Sequence, residues 1–472
     1  MTRREISSSP TSKINGENYM EYNEYLRKKG ISSEKVIADL IAYRNARPVT
    51  MKKKLPTEMY DKVNLMCRNY MDRLARFEMD YDFIVDAEAF KAVAVCCLET
   101  VTILRSQVIN HPIAPYWKIS DYEISDFADI REVNDIEKAR KEFFSREIPL
   151  KSNVQMNLGV YFFEGRTYVL FIWNHMCFDG GGFKMFWSDF CKNYTDFVLH
   201  GISPVNFSVG SREYTEVYRD FDKKTAKKAK MQLANVSPRT KVTFPFTPVN
   251  GKEKVIIVSR RIPAEDFFRA CTYAKSVGAT VTDLLLASYI DALGKIADIE
   301  ATEGLSVACA MDLRRHIKDL SRIGYTNHVS FMHCALAEKG SDLSETLLLV
   351  RDKTRELKND EFMGLHGLPL LNFAYKNMFY FQAESVVKLF YNNPQMSVSN
   401  VGKIEPDLFP LGESGPFDAF VAGAAKNKPC AVMTALTIGG ALSASICLRG
   451  NEEDRRILES FFTEFENNLK SF

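Results

Sequence analysis

The sequence lacks a surplus of either charge: 62 lysines and arginines stand against 60 aspartates and glutamates in 472 residues, a formal net charge of +2. Proteins that neutralise many phosphates carry a basic excess, so nucleic-acid binding is excluded as the main function. Paired cysteines are missing as well. The ten cysteines (67, 96, 97, 177, 191, 271, 309, 334, 430 and 447) include no metal-type Cys-x-x-Cys spacing. No metal is therefore expected, and a reduced, cytoplasmic setting fits best. Met1 to Tyr25 hold no apolar run of signal-peptide type, so a secretory route is not expected. Internal repeats of 20 to 50 residues are absent too.

Long uncharged runs are limited to one, Cys430 to Leu448, whose nineteen residues match the length of a membrane span. Four hydroxyl residues and a central Gly439-Gly440 argue against that. Val432, Leu436 and Ile438 on one side, and Leu442, Ile446 and Leu448 on the other, fall on a period of two, which predicts a buried β-hairpin and no transmembrane segment. What the chain has in quantity is core: 46% hydrophobic and 12% aromatic residues suffice for two or three compact units of an α/β protein.

Residues 1–50 read as an N-terminal extension with one helix, Glu34 to Arg47. The first unit covers 51–205. Within it a strand is expected at Tyr81 to Val85, then a helix behind Asp86 with Phe90, Val93, Ala94 and Cys97 on one face, then a strand from Val101 to Ile109. Met156 to Trp173 alternate as a hairpin turning at Glu164-Gly165. Beyond it, Phe183, Phe186, Trp187, Phe190 and Tyr194 form one helical stripe. Residues 206–250 read as a linker. Its Lys223, Lys224, Lys227, Lys228 and Lys230 lie at helical spacing, either as a solvated face or as a site for a phosphate or an acidic carrier. The second unit, 251–472, predicts strands at Lys254 to Arg261, Gly304 to Met311, His328 to Ala337 and Gln395 to Val398. Its expected helices are Ala264 to Ser276, Thr280 to Leu293, Asp342 to Lys358, Leu370 to Leu389 and Glu453 to Phe472.

The most unusual segment follows the first hairpin: Asn174-His-Met-Cys-Phe-Asp-Gly-Gly-Gly182. With seven histidines, sixty acidic residues and 24 glycines, chance supplies about 0.05 matches to His-x-x-x-(Asp/Glu)-Gly. A histidine at the end of a buried strand serves as a general base, because its usual pKa near ~6.5 leaves it mostly neutral at pH 7. Asp179, one turn on, can fold back to brace the loop. Cys177 between them reads as a small apolar filler. The three glycines are expected to supply backbone angles that other residues resist.

This segment resembles the HxxxDG signature of the CoA-dependent acyltransferase superfamily, which spans chloramphenicol acetyltransferase, alcohol acetyltransferases and nonribosomal peptide condensation domains. Other segments are similar in order and spacing: Val85-Asp86 with Leu104-Arg105-Ser106, Gly278 to Leu286, Met311 to Arg314 followed by Asn327, and Ser399 to Gly402. The resemblance covers about residue 55 to the C-terminus. It implies two chloramphenicol-acetyltransferase-like subdomains with mixed sheets, in a V-shaped pseudo-dimer around a central channel, acting as a monomer. His175 would deprotonate a small-molecule alcohol or amine, which attacks an acyl-CoA or acyl-phosphopantetheine thioester carried by coenzyme or acyl carrier protein. No covalent acyl-enzyme and no permanently bound cofactor are implied. Asp179 would pair with Arg314, or with adjacent Arg315, beside Gly180. Ser399, Asn400 and Asn327 are the candidates to bind the thioester. Asn174 replaces a second histidine found in many members, and the plant-branch DFGWG motif is absent, with Pro416 to Phe420 near its place. A non-catalytic condensation-like module that docks a carrier protein is the alternative.

Overall fold

The computed structural model describes residues 54–202, 204, 206–232, 242–300, 303–390 and 394–472. The expected helix at Glu34 to Arg47 lies outside them. In chain order, β1 to β7 are Lys54–Pro56, Leu74–Tyr81, Ser106–Ile109, Tyr116–Ile119, Ala128–Glu132, Met156–Phe163 and Arg166–Asn174. The strands β8 to β15 are Lys254–Ile262, Leu305–Asp312, Val329–Leu336, Met396–Lys403, Asp418–Ala422, Lys426–Asn427, Ala431–Ile438 and Ala441–Gly450.

Local chemistry accounts for most of these elements. Strands β6 and β7 pair from Met156 with Trp173 to Phe163 with Arg166, and Glu164 and Gly165 both take positive φ at the turn. Two such residues form the tight hairpin whose twist matches its strands. Asp86 caps the helix Ala87–Thr100 by accepting from the N–H groups of Glu88 and Ala89. Thr280 and Asp283 form a capping box at the start of the helix Val281–Ile296. The uncharged run is the β14–β15 hairpin turning at Gly439-Gly440. Among the described residues, no single helix is long and apolar enough to cross a membrane.

Two mixed sheets carry the α/β architecture, with a small antiparallel sheet β1-β4-β3 beside them. The first runs β12-β2-β7-β6-β5. The second runs β10-β9-β11-β14-β15, and both β8 and β13 pair with β15. Strand β12 comes from the second half of the chain yet completes the first sheet, pairing with β2 from Asp418 opposite Asp80 to Ala422 opposite Arg76. The first core is shared in the same way: Phe77, Phe90 and Phe183 pack in one cluster with Leu313, Tyr375 and Leu436. A second core around Phe461, Tyr289 and Leu285 belongs to the second half. The helix Gly180–His200 lays its aromatic stripe on the first sheet, with Phe183 stacked on Trp173 at 4.4 Å and Trp187 edge-on to Phe171 at 4.6 Å.

Five expectations shift. The strand placed at Tyr81 to Val85 is β2, and it ends at Tyr81. Its charged residues are buried because they are paired: Arg76 with Asp72 at 2.7 Å, and Glu78 and Asp80 with Arg140 at 2.6 and 3.2 Å. The strand from Val101 is a tight turn over Thr102–Arg105 followed by the short β3. The helix from Leu370 to Leu389 is two, Leu368–Asn377 and Tyr380–Phe390, because the N–H groups of Tyr380 and Phe381 bond Ile113 and Pro112 instead of the preceding turn. Strand β11 runs on to Lys403. The stretch read as a linker also holds structure, the turn Tyr214–Tyr218 and the helix Lys223–Ala229.

Sharing one core couples the two halves. Calorimetric unfolding is expected to give a single transition whose calorimetric and van't Hoff enthalpies agree; two resolved peaks would show that β12 does not tie the halves.

Candidate active site

His175 follows directly on β7, and four contacts turn the chain there. Asn174 donates to Gln155 Oε1 at 2.9 Å, and its own Oδ1 accepts from the Met176 N–H at 3.1 Å. The His175 N–H donates to the carbonyl of Arg73, a residue held at a φ of 62°. Such a backbone angle is costly for a residue with a Cβ and persists only where surrounding contacts enforce it. Asn327 supplies the fourth contact and fixes the imidazole. Its Nδ2 donates to the carbonyls of His175 at 2.8 Å and Met176 at 3.4 Å. Its Oδ1 therefore faces His175 Nδ1, at 3.0 Å. An amide oxygen only accepts, so Nδ1 carries the proton and Nε2 keeps its lone pair. Among the described residues nothing bonds Nε2, and the ring stands in a cavity wall. Burial lowers the pKa of His175 from 6.5, assisted by the charge of Lys426 and opposed by Asp179.

Asp179 caps the helix Gly180–His200 and is almost fully buried. Oδ1 accepts from the Gly182 N–H at 2.7 Å and from Arg314 at 2.9 Å; Oδ2 accepts from the His328 N–H at 2.7 Å and from Arg314 at 3.1 Å. Burial alone would raise its pKa. The Arg314 guanidinium and these hydrogen bonds outweigh it, and the carboxyl stays below its usual range. Arg314 also donates to the carbonyl of Thr326 at 2.9 Å. The three glycines have a different reason from the one expected. None takes a positive φ. A Cβ on Gly181 would lie 2.6 Å from Arg314 Nη1, and one on Gly182 would lie 2.7 Å from the Thr326 carbonyl oxygen, whereas Gly180 has room. Close approach to the ion pair excludes side chains at the second and third glycines.

Arg212 was not visible as a site residue. It lies in the supposed linker and pairs with buried Asp61 at 3.0 Å. The same guanidinium donates to the carbonyls of Met176 at 3.0 Å and Cys177 at 3.2 Å, so it clamps the loop from the side opposite Arg314. No motif or periodicity marks it, because its partners lie far away in sequence. Cys177 is buried and unpaired in a disulfide, and burial pushes its thiol up, away from a reactive thiolate.

The cavity beside His175 measures about 290 Å³. Ala75, Phe77 and Trp173 of the first sheet and Val398 and Val432 of the second give it an apolar wall. Ser399 lines it. Asn400 does not: its carboxamide bonds Thr282 at 3.3 Å and the Gly402 N–H at 2.9 Å, where β11 bulges. Asn327 is committed to the His175 loop. Lys426 enters the cavity from β13. Among the described residues no group of three His, Cys, Asp or Glu side chains is gathered to hold a metal.

No family model matches this chain. No curated protein matches it in sequence. Solved structures do resemble it. The first condensation domain of the CDA synthetase is 13% identical over 88% of this chain and 96% of that one, with a TM-score of 0.61. The trichothecene 15-O-acetyltransferase of Fusarium sporotrichioides is 11% identical over 88% and 95%, with a TM-score of 0.59. The chain shares the fold of these condensation and acetyltransferase structures. The epimerization domain of the third module of tyrocidine synthetase B, 14% identical over 89% and 96% with a TM-score of 0.58, has it too. Acyltransferase-like folds therefore house more than one reaction, and the site must decide between them.

Two outcomes follow from the buried charges. Asp179→Ala leaves the Arg314 guanidinium buried without its main partner, and a loss of about 3–5 kcal/mol in urea unfolding is expected; a loss under ~1 kcal/mol would show that the pair does not brace the loop. His328 is fully buried, and neither ring nitrogen has a partner among the described residues. Burial, then the charges of Arg314 and Arg212, lower its pKa from 6.5 to about 4. Between those values the unfolded chain binds a proton that the native chain refuses, so stability falls as pH falls, by about 3 kcal/mol in all. In His328→Leu the decline in stability from pH 7 to pH 4.5 is expected to shrink by about 2–3 kcal/mol; an unchanged decline would place the acid lability elsewhere.

Proposed function

We propose that the protein is an acyltransferase that moves an acyl group from a thioester, on CoA or on a carrier protein, to a hydroxyl or amine. The observation that supports this best is the locked tautomer of His175, a residue that lines an apolar cavity between the two sheets and whose Nε2 has no bond among the described residues. In the reaction, Nε2 takes the proton of the acceptor as its oxygen or nitrogen attacks the thioester carbonyl. The tetrahedral intermediate places negative charge on the former carbonyl oxygen, and the Ser399 hydroxyl is the group lining the cavity that would donate to it. Collapse breaks the carbon–sulfur bond, and the imidazolium returns the proton to the departing thiolate. The enzyme forms no covalent intermediate, and the thioester is a co-substrate rather than a resident cofactor. A carrier-protein donor has its own support in the likeness to condensation domains.

The test is transfer from acetyl-CoA and longer acyl-CoA thioesters to alcohols and amines, followed as thiol release. His175→Ala is expected to fold normally and to lose ~10²–10⁴-fold in kcat/KM, the contribution of a positioned base. In the parent, kcat/KM rises with pH to a plateau whose apparent pKa lies below 6.5, because the buried imidazole loses its proton early. Undiminished transfer by folded His175→Ala would overturn the assignment.

A further inference from the structure

We propose that Lys426 forms a carboxylate subsite in the catalytic cavity, so that one substrate of the reaction carries a carboxylate as well as its reacting group. The inference rests on the acyl-transfer reading and narrows its substrate class. The backbone of Lys426 is fixed on both sides, by pairing of β13 with Leu448 and Arg449 and by a bridge to Met71. Its side chain shares the cavity with His175, near enough for its charge to act on the imidazole.

This lysine, which shares the cavity with His175, lacks an anion. Nζ contacts Met71 Sδ at 3.2 Å, and among the described residues it makes no ion pair. A thioether is a weak acceptor and returns little of the hydration an ammonium gives up on burial. Three other enclosed cations here do meet carboxylates: Arg314 meets Asp179, Arg212 meets Asp61, and Lys428 meets Asp454 at 2.9 Å. The ionisable groups that favour charge on Lys426 are the thiols of Cys67 and Cys430 and the carboxylate of Asp72. Asp72 is spoken for: Oδ1 accepts from the N–H groups of Leu74 and Ala425, and Oδ2 from Arg76. Burial therefore pushes the ammonium toward its neutral form, and an anion entering the cavity would reverse that push. One ammonium, with the hydroxyl of Ser397 on β11, suits a monoanion in a cavity of about 290 Å³. The carboxylate belongs either to the acceptor, as in a hydroxy or amino acid, or to the far end of the acyl chain.

Octanoate and octan-1-ol, titrated into the full chain with Trp173 fluorescence and calorimetry as readouts, test the subsite without turnover. Octanoate is expected to bind ten- to a hundredfold more tightly, the worth of a hydrogen bond to a charged group. Lys426→Met should abolish the difference, Lys426→Arg should keep most of it, and His175→Ala should leave it intact. Equal binding of the two probes by the parent overturns the proposal, whether or not the variants fold. So does a preference that survives Lys426→Met. Two kinetic arms locate the carboxylate: 6-hydroxyhexanoate against hexan-1-ol with acetyl-CoA, and succinyl-CoA against butyryl-CoA with hexan-1-ol. The arm that holds it shows a KM raised at least tenfold in Lys426→Met with kcat retained. Turnover of the neutral substrates with no carboxylate preference in either arm overturns the subsite alone. Absence of any turnover counts against acyl transfer, and the binding comparison still decides the subsite.

Discussion

One buried carboxylate organises this protein. Asp179 joins the loop that ends the first sheet to the start of a helix, to an arginine beyond β9 and to the backbone at the head of β10. The reach of that last contact matters most. The residue whose N–H bonds Asp179 is His328, and the residue before it, Asn327, holds the ring of His175. Brace and imidazole are thus set by two consecutive residues of the second half, so any displacement of the halves would be felt at the ring. Such a pair contributes little net stability, because desolvation offsets most of the attraction, but removing either partner is costly. Its value lies in fixing one arrangement of the loop.

The second clamp works by the same physics with weaker acceptors. Arg212 is neutralised by Asp61 and spends its remaining N–H groups on two loop carbonyls. A turn of non-helical backbone between a buried strand and a helix leaves carbonyls that no ladder satisfies, and a guanidinium with five donors in a plane can serve several at once. Together, Arg212, Asn327 and Arg314 satisfy the loop from three sides. His175 is left as the one polar group of the loop aimed into the cavity.

The parts that were legible in the sequence are those that local rules write. The hairpin before His175, the caps at Asp86 and Thr280 and the aromatic stripe after Asp179 are contained in short windows, and each appears in the structure where its pattern placed it. The residues His175, Asp179 and Arg314 stood out through a motif and its order in the chain. What escaped depends on distance. Strand β12 lies about 340 residues from β2 and only their pairing completes the first sheet, Arg212 lacks any repeating context, and Asn327 was noticed but could not be given its partner. The glycines teach a subtler lesson: the residue type was read correctly and the reason was not, since proximity to Arg314 and Thr326 excludes side chains that the backbone angles would tolerate.

The cavity couples two basic groups in its lining, His175 and Lys426. An apolar enclosure disfavours charge on both His175 and Lys426, and the charge of Lys426 opposes protonation of the imidazole. In the proposed reaction this has a cost: a histidine kept neutral by desolvation is also a weaker base than one in water. A carboxylate beside Lys426 would change that balance. It would hold the ammonium charged and cancel that charge as seen from His175, so the imidazole would regain basicity only when the cavity is filled. Burial and the empty neighbourhood of Lys426 would then act together, keeping the base quiet in the free protein and strengthening it toward a bound acceptor.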